Sequence, residues 1–110
     1  MRSNFRVLDA ARAVVDSVNQ LLAHSRCALL YDSQLRDAAG SIAANIREAY
    51  GRRRGAERNQ FFRYARGSAE EAGEHLRANF AATRLEPSLY WRLHNRLVVI
   101  RRMLDALMSE

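Results

Sequence analysis

Apolar residues return along this chain at steps of three and four, the spacing that gathers them on one side of an α-helix. Val7, Leu8, Ala11, Val14, Val15, Val18, Leu21 and Leu22 mark a first helix over residues 4–24. Their stripe spans about 160°, wider than the roughly 100° that an ordinary surface helix buries, and the excess points toward another subunit. A connection at about residues 25–32 leads to a second helix from Ser33 to Tyr50, with Asp32 as its N-cap and Gly51 as its stop. Leu35, Ala38, Ala39, Ile42, Ile46 and Ala49 form its apolar side. The small residues Ala38, Ala39, Gly40, Ser41, Ala43 and Ala44 let a neighbouring helix approach closely, so this helix is expected to be central.

A third helix is predicted from Ala56 to Thr83, with Phe61, Phe62, Ala65, Ala69, Ala72, Leu76 and Phe80 inward and Gly67 and Gly73 as local weak points. Pro87 suits the first turn of a fourth helix, 87–109, where its missing N–H would be unpaired in any case. Leu89, Leu93, Leu97, Ile100, Leu104 and Leu107 make one stripe there, while Trp91 and Val98 fall on the opposite side. An apolar pair on the back of a helix suggests an oligomer interface. Four amphipathic helices with short connections imply an all-α, up-down-up-down antiparallel four-helix bundle. A helical repeat is the structural alternative, but no internal period is visible.

Length and composition sharpen this picture. The 110 residues suit one domain spanning 1–110, with a core that needs neither disulfide nor metal. The longest apolar runs, such as Leu97 to Ile100, fall far short of the roughly 20 residues that cross a bilayer. Met1-Arg2-Ser3-Asn4-Phe5 leads straight into a charged periodic segment without a secretory h-region, so a cytoplasmic location is expected. The lone Cys27 lies in the apolar stretch Cys27-Ala28-Leu29-Leu30 and reads as a part-buried, inert thiol.

The formal net charge is +6, and every one of the 18 basic residues is Arg, which can bind phosphate bidentately where Lys cannot. The charge is local: residues 51–66 carry six arginines against one glutamate, residues 67–86 two arginines against four glutamates. Gly51-Arg52-Arg53-Arg54-Gly55 is a tight basic loop, because two glycines bracket three charges that repel one another. With Arg58, Arg63 and Arg66 following, it is the strongest candidate site, a surface for RNA or DNA phosphates or for an acidic protein. The plain alternative is a solvated turn plus a salted helix face, with Arg66 simply facing Glu70 at i+4.

The remaining polar positions read as structure. Ser41, Asn45 and Glu48 border the apolar side of the second helix and can meet Ser68 and Glu71 of the third in an interhelical polar seam. Glu71 and His75 stand at a step of four and not the three of a di-iron bundle, without a second copy, so no metal or other cofactor is expected. With His24 and His94 isolated and no nucleophile elbow or phosphate-cradling glycine loop, catalysis is not expected either. Phe61, Phe62, Tyr64 and Phe80 sit at helical spacing and are assigned mainly to the core, with base stacking as the alternative.

The string Ser33-Gln34-Leu35-Arg36-Asp37-Ala38-Ala39, then Ser41-Ile42-Ala43-Ala44-Asn45-Ile46-Arg47-Glu48, then Phe61-Phe62 and Ala65-Arg66-Gly67-Ser68-Ala69-Glu70-Glu71 resembles the 23S rRNA intervening sequence proteins. That family's pattern is a QLRRAA run, S-I-x-x-N-I-A-E-G, a basic turn and an aromatic-rich A-R-G-S-x-x-E helix. The chain departs from it at Ala43, where Pro is common, at Arg47 for Ala, at Ala49-Tyr50 inserted before Gly51, and in lacking Phe-Pro after the first helix. The resemblance implies a four-helix bundle that assembles as a homopentameric ring, with no established enzymatic activity. The chain also looks similar to the basic pentameric accessory proteins of diversity-generating retroelements, which bind a reverse transcriptase and nucleic acid. That second likeness implies a scaffold role as the alternative.

Overall fold

The computed structural model describes residues 2–25 and 28–110, and the Cys27 expectation lies outside the described residues. Four helices follow in order, α1 (Arg2–His24), α2 (Asp32–Tyr50), α3 (Ala56–Ala81) and α4 (Pro87–Met108), with no strand among the described residues. Each packs against its neighbours in sequence and α4 closes onto α1, giving a body of 44 × 21 × 20 Å. Contacts fix the directions. Arg58 at the start of α3 meets Ala49 at the end of α2, Asn59 meets Met108 at the end of α4, Phe80 at the end of α3 stacks on Tyr90 at the start of α4, and the end of α1 lines one cleft with the start of α4. Neighbouring helices therefore run antiparallel.

One core draws on all four helices, and it follows the apolar stripes. α1 contributes Val7, Leu8, Ala11, Val14 and Val18, while Val15, Leu21 and Leu22 are only partly covered. α2 buries its predicted set together with Ala43. On α3 the buried line is Phe62, Ala65, Ala69, Ala72, Leu76 and, unexpectedly, Asn79, whereas Phe61 and Phe80 lie half-buried at the margin. α4 buries Leu93, Leu97, Ile100 and Leu104 with Tyr90. The α2–α3 contact is the most extensive, because buried alanines on both helices let the backbones come close.

The boundaries correct the sequence reading in places. Asp32 is the first helical residue and not the cap; Tyr31 takes the capping position in the left-handed region at φ 56°, and Asp32 Oδ1 accepts from the Ser33 N–H. α3 runs unbroken through Gly67 and Gly73 and ends at Ala81. Its end is a Schellman turn: Thr83 is left-handed at φ 56°, its N–H bonds Phe80 O at 3.0 Å, and the Arg84 N–H bonds Asn79 O at 2.9 Å. Gly55, the N-cap of α3, has φ 120° and ψ −153°, a conformation that only glycine adopts at no cost. The basic turn can therefore reverse the chain within five residues.

Asn79 ties the far end of the bundle together. Fully buried, it accepts from the Leu30 N–H at 2.7 Å, donates to Leu30 O at 3.0 Å and donates to His75 O at 2.8 Å. Its amide thereby clamps the α1–α2 connection onto α3. Arg84 adds a second tie, Nη1 to Ala28 O at 2.8 Å.

Candidate nucleic-acid interface

The six arginines singled out in the sequence divide into three groups. Arg53 and Arg54 are exposed in the turn, and among the described residues neither has an acidic partner. Arg52 is held on both sides, by Glu48 at 3.1 Å and Glu57 at 3.4 Å, and its guanidinium lies 4.7 Å from the centre of the Phe61 ring. The glutamates offset its charge, but the three contacts fix the turn so that Arg53 and Arg54 project from a shaped support.

Arg58 belongs to the architecture. Its Nε donates to Ala49 O at 3.1 Å and Arg52 O at 3.0 Å, and its Nη2 donates to Arg52 O at 2.7 Å, so it ties the last turn of α2 to the backbone of the basic turn. Its guanidinium also covers the Tyr50 ring at 5.5 Å. Burial pushes the Tyr50 phenol above its ordinary value of 10; Arg58 opposes the shift and Glu110 adds to it, so the phenol stays neutral at physiological pH.

Arg66 reaches sideways to α4, with Nε 2.8 Å from Asp105 Oδ1 and Nη1 3.1 Å from Glu70 Oε2. The i+4 pairing with Glu70 is as the sequence suggested, and the Asp105 contact joins α3 to α4. Arg63 donates to Gln60 Oε1 at 2.7 Å and stays exposed. A continuous patch of six arginines is therefore not formed: the turn offers Arg53 and Arg54, Arg63 stands further along α3, and Arg58 and Arg66 are engaged in packing the bundle.

The polar seam is present in part. Ser68 Oγ donates to Ser41 Oγ at 3.1 Å, and Asn45 Nδ2 donates to Ser41 O at 2.9 Å and Ser41 Oγ at 3.1 Å. Glu48 turns instead to Arg52, and Glu71 lies 3.5 Å from His75 of its own helix. Both glutamates thus find partners close by in sequence instead of across the α2–α3 contact.

Trp91 is 50% exposed, while Val98 is half-buried and the exposed valine is Val99 at 47%. The reason is visible seven residues further along the same line of α4, where Asp105 reaches Arg66 of α3. Trp91, Val98 and Asp105 run along the shoulder toward α3, and Trp91 meets the Phe80 ring there at 6.1 Å beside Tyr90 and His94. An open cleft of about 820 Å³ lies at this end too, between α1 and the start of α4, remote from the arginine turn. No helix described is long and apolar enough to cross a membrane.

Sequence reasoning missed Asn79 and the structural task of Arg58. A signal existed for both: each continues the apolar stripe of α3 at a three- or four-residue step, and each is polar. A polar residue on a buried stripe needs a partner, and here the partners are backbone carbonyls and one backbone N–H.

Comparison with known proteins agrees with this architecture. Residues 3–106 match a family model described as 23S rRNA-intervening sequence protein. The fold is similar to the crystal structure of a protein with unknown function from the S23 ribosomal protein family of Bacteroides thetaiotaomicron VPI-5482, with a TM-score of 0.90 at 19% identity over 98% of this chain and 99% of that one. At that identity the likeness concerns the fold alone. No curated protein matches the chain in sequence.

Proposed function

Because the chain belongs to the 23S rRNA-intervening sequence protein family, we propose that it is a non-catalytic, cytoplasmic homopentamer that binds RNA or DNA phosphates through its 52–54 turn. The observation that carries this reading is the pair Arg53 and Arg54, exposed and without an acidic partner among the described residues, on a turn held by the contacts of Arg52 and Arg58. Two cations per protomer bind weakly. Repeated around a ring they gain avidity, provided several turns engage one strand.

The test is binding of a mixed-sequence RNA and a duplex DNA across a salt series. Wild-type affinity should fall steeply between low and moderate salt. The double variant Arg53→Ala/Arg54→Ala should bind more weakly, with a log–log salt slope shallower by about two for each protomer engaged. A complex indifferent to salt, or a double variant that binds as wild type does, would sink the proposal. A nuclease-treated preparation that retains one defined acidic protein and no nucleic acid would assign the turn to a protein partner.

Assembly supplies a second check. Trp91→Asp charges an exposed site on the α4 shoulder and spares the buried stripe, so it should reduce the particle mass seen by light scattering while helicity is kept. Unchanged mass would remove Trp91 from the interface.

A further inference from the structure

Among the aromatics expected mainly in the core, Tyr64 stands apart. Phe62 is buried, Phe80 stacks on Tyr90 at 4.3 Å, and Phe61 is half-buried beneath Arg52, but Tyr64 is 48% exposed. It is nevertheless held in place. Its ring meets Phe61 at right angles with centroids 5.5 Å apart, and its hydroxyl accepts from Gln60 Nε2 at 2.7 Å. Gln60 is itself oriented by Arg63, which donates to its Oε1 at 2.7 Å. Arg52, Phe61, Tyr64, Gln60 and Arg63 thus form one connected row, with a guanidinium at each end and a fixed, uncovered ring between them.

From this row we infer that Tyr64 is a stacking platform for an unpaired base, so that the protein selects single-stranded RNA or DNA over duplex. The inference rests on the phosphate-binding reading of the 52–54 turn and adds to it the class of nucleic acid. A phosphate contact does not require an unpaired strand, since single strands and duplexes both carry the backbone anion. A ring on the convex side of a helix is different: it can offer its face to a splayed base, whereas in a duplex both base faces are already stacked. Arg63, exposed and without an acidic partner among the described residues, suits a phosphate next to such a base, while Arg52, whose charge Glu48 and Glu57 offset, holds the Phe61 end of the row in place. Because Tyr64 is already oriented by two neighbours, little rotamer freedom is left to lose on binding.

The test is fluorescence anisotropy at low salt with an unpaired oligouridine or oligothymidine of about 20 nucleotides, long enough to span one site, and a blunt duplex of the same length. Tyr64→Ala should weaken single-strand binding about fivefold or more, the loss of one stacked base, and leave duplex binding unchanged. Tyr64→Phe should keep single-strand affinity, because the ring remains. Particle mass should be the same in both variants. Equal loss on both probes, or no loss on the single strand, overturns the inference, and so does a change of mass, which would make Tyr64 a subunit contact. If Arg53→Ala/Arg54→Ala weakens both probes while Tyr64→Ala weakens neither, the stacking role falls and the phosphate reading stands. If wild type binds neither probe, both fall.

Discussion

Asn79→Leu should lower the stability of the folded chain by about 3 kcal/mol, seen as an earlier midpoint in denaturant unfolding followed by far-UV circular dichroism. Leucine matches asparagine in the number and branching of its side-chain heavy atoms, so the change removes polar atoms without opening a cavity. What it strands is the main chain of Leu30, whose N–H and C=O both pair with the Asn79 amide, and the third bond, to His75 O, is lost as well. Each buried polar group left unpaired costs about 1–3 kcal/mol, and Leu30 is only half-buried, so water recovers part of the loss. Asn79→Asp keeps the acceptor for the Leu30 N–H but sets a buried carboxylate against the Leu30 and His75 carbonyls, and at neutral pH should destabilise at least as much as leucine. A midpoint unmoved by Asn79→Leu would show that the connection holds itself without the clamp.

Ala65→Leu should be about as damaging, for the opposite reason. Ala65 is fully buried, and the serine hydroxyls one turn away bridge α2 and α3 at 3.1 Å. Added carbons have no space there unless the helices separate, and separation would pull the Arg58 guanidinium away from Ala49 O and Arg52 O. Overpacking of this kind costs about 1–3 kcal/mol or more. A broadened, less cooperative thermal transition is the expected signature. Ala44→Leu on the exposed side of α2 is the control and should change stability by less than about 0.5 kcal/mol. Equal effects at the two alanines would mean that close approach of the helices is not what the small residues supply.

How far the sequence could be read depends on the range of each interaction. The four helices follow from local periodicity, so the stripes of Leu35 to Ala49 and Leu93 to Leu104 mark buried sides directly. Turn chemistry at Gly51, Gly55 and Pro87 places three of the boundaries, whereas a tyrosine and a threonine in the left-handed region announce nothing in advance. The candidate site was legible as a density of arginine and not as a geometry. That Arg58 serves α2 while Arg53 and Arg54 remain exposed depends on carbonyls and carboxylates brought near only by the turn. Tyr64 and Phe61 are three residues apart on one helix, yet which of them the neighbouring helices cover is a property of the packed bundle.

The clamp at Asn79 also bears on which residues the linker can carry. It grips main-chain atoms of Leu30 and no side chain, so it places almost no demand on which amino acid stands at position 30. Proline, which lacks the N–H, is the exception. Substitutions at position 30 that keep the N–H should thus leave the clamp intact, and the whole chemical demand rests on a single asparagine 49 residues downstream.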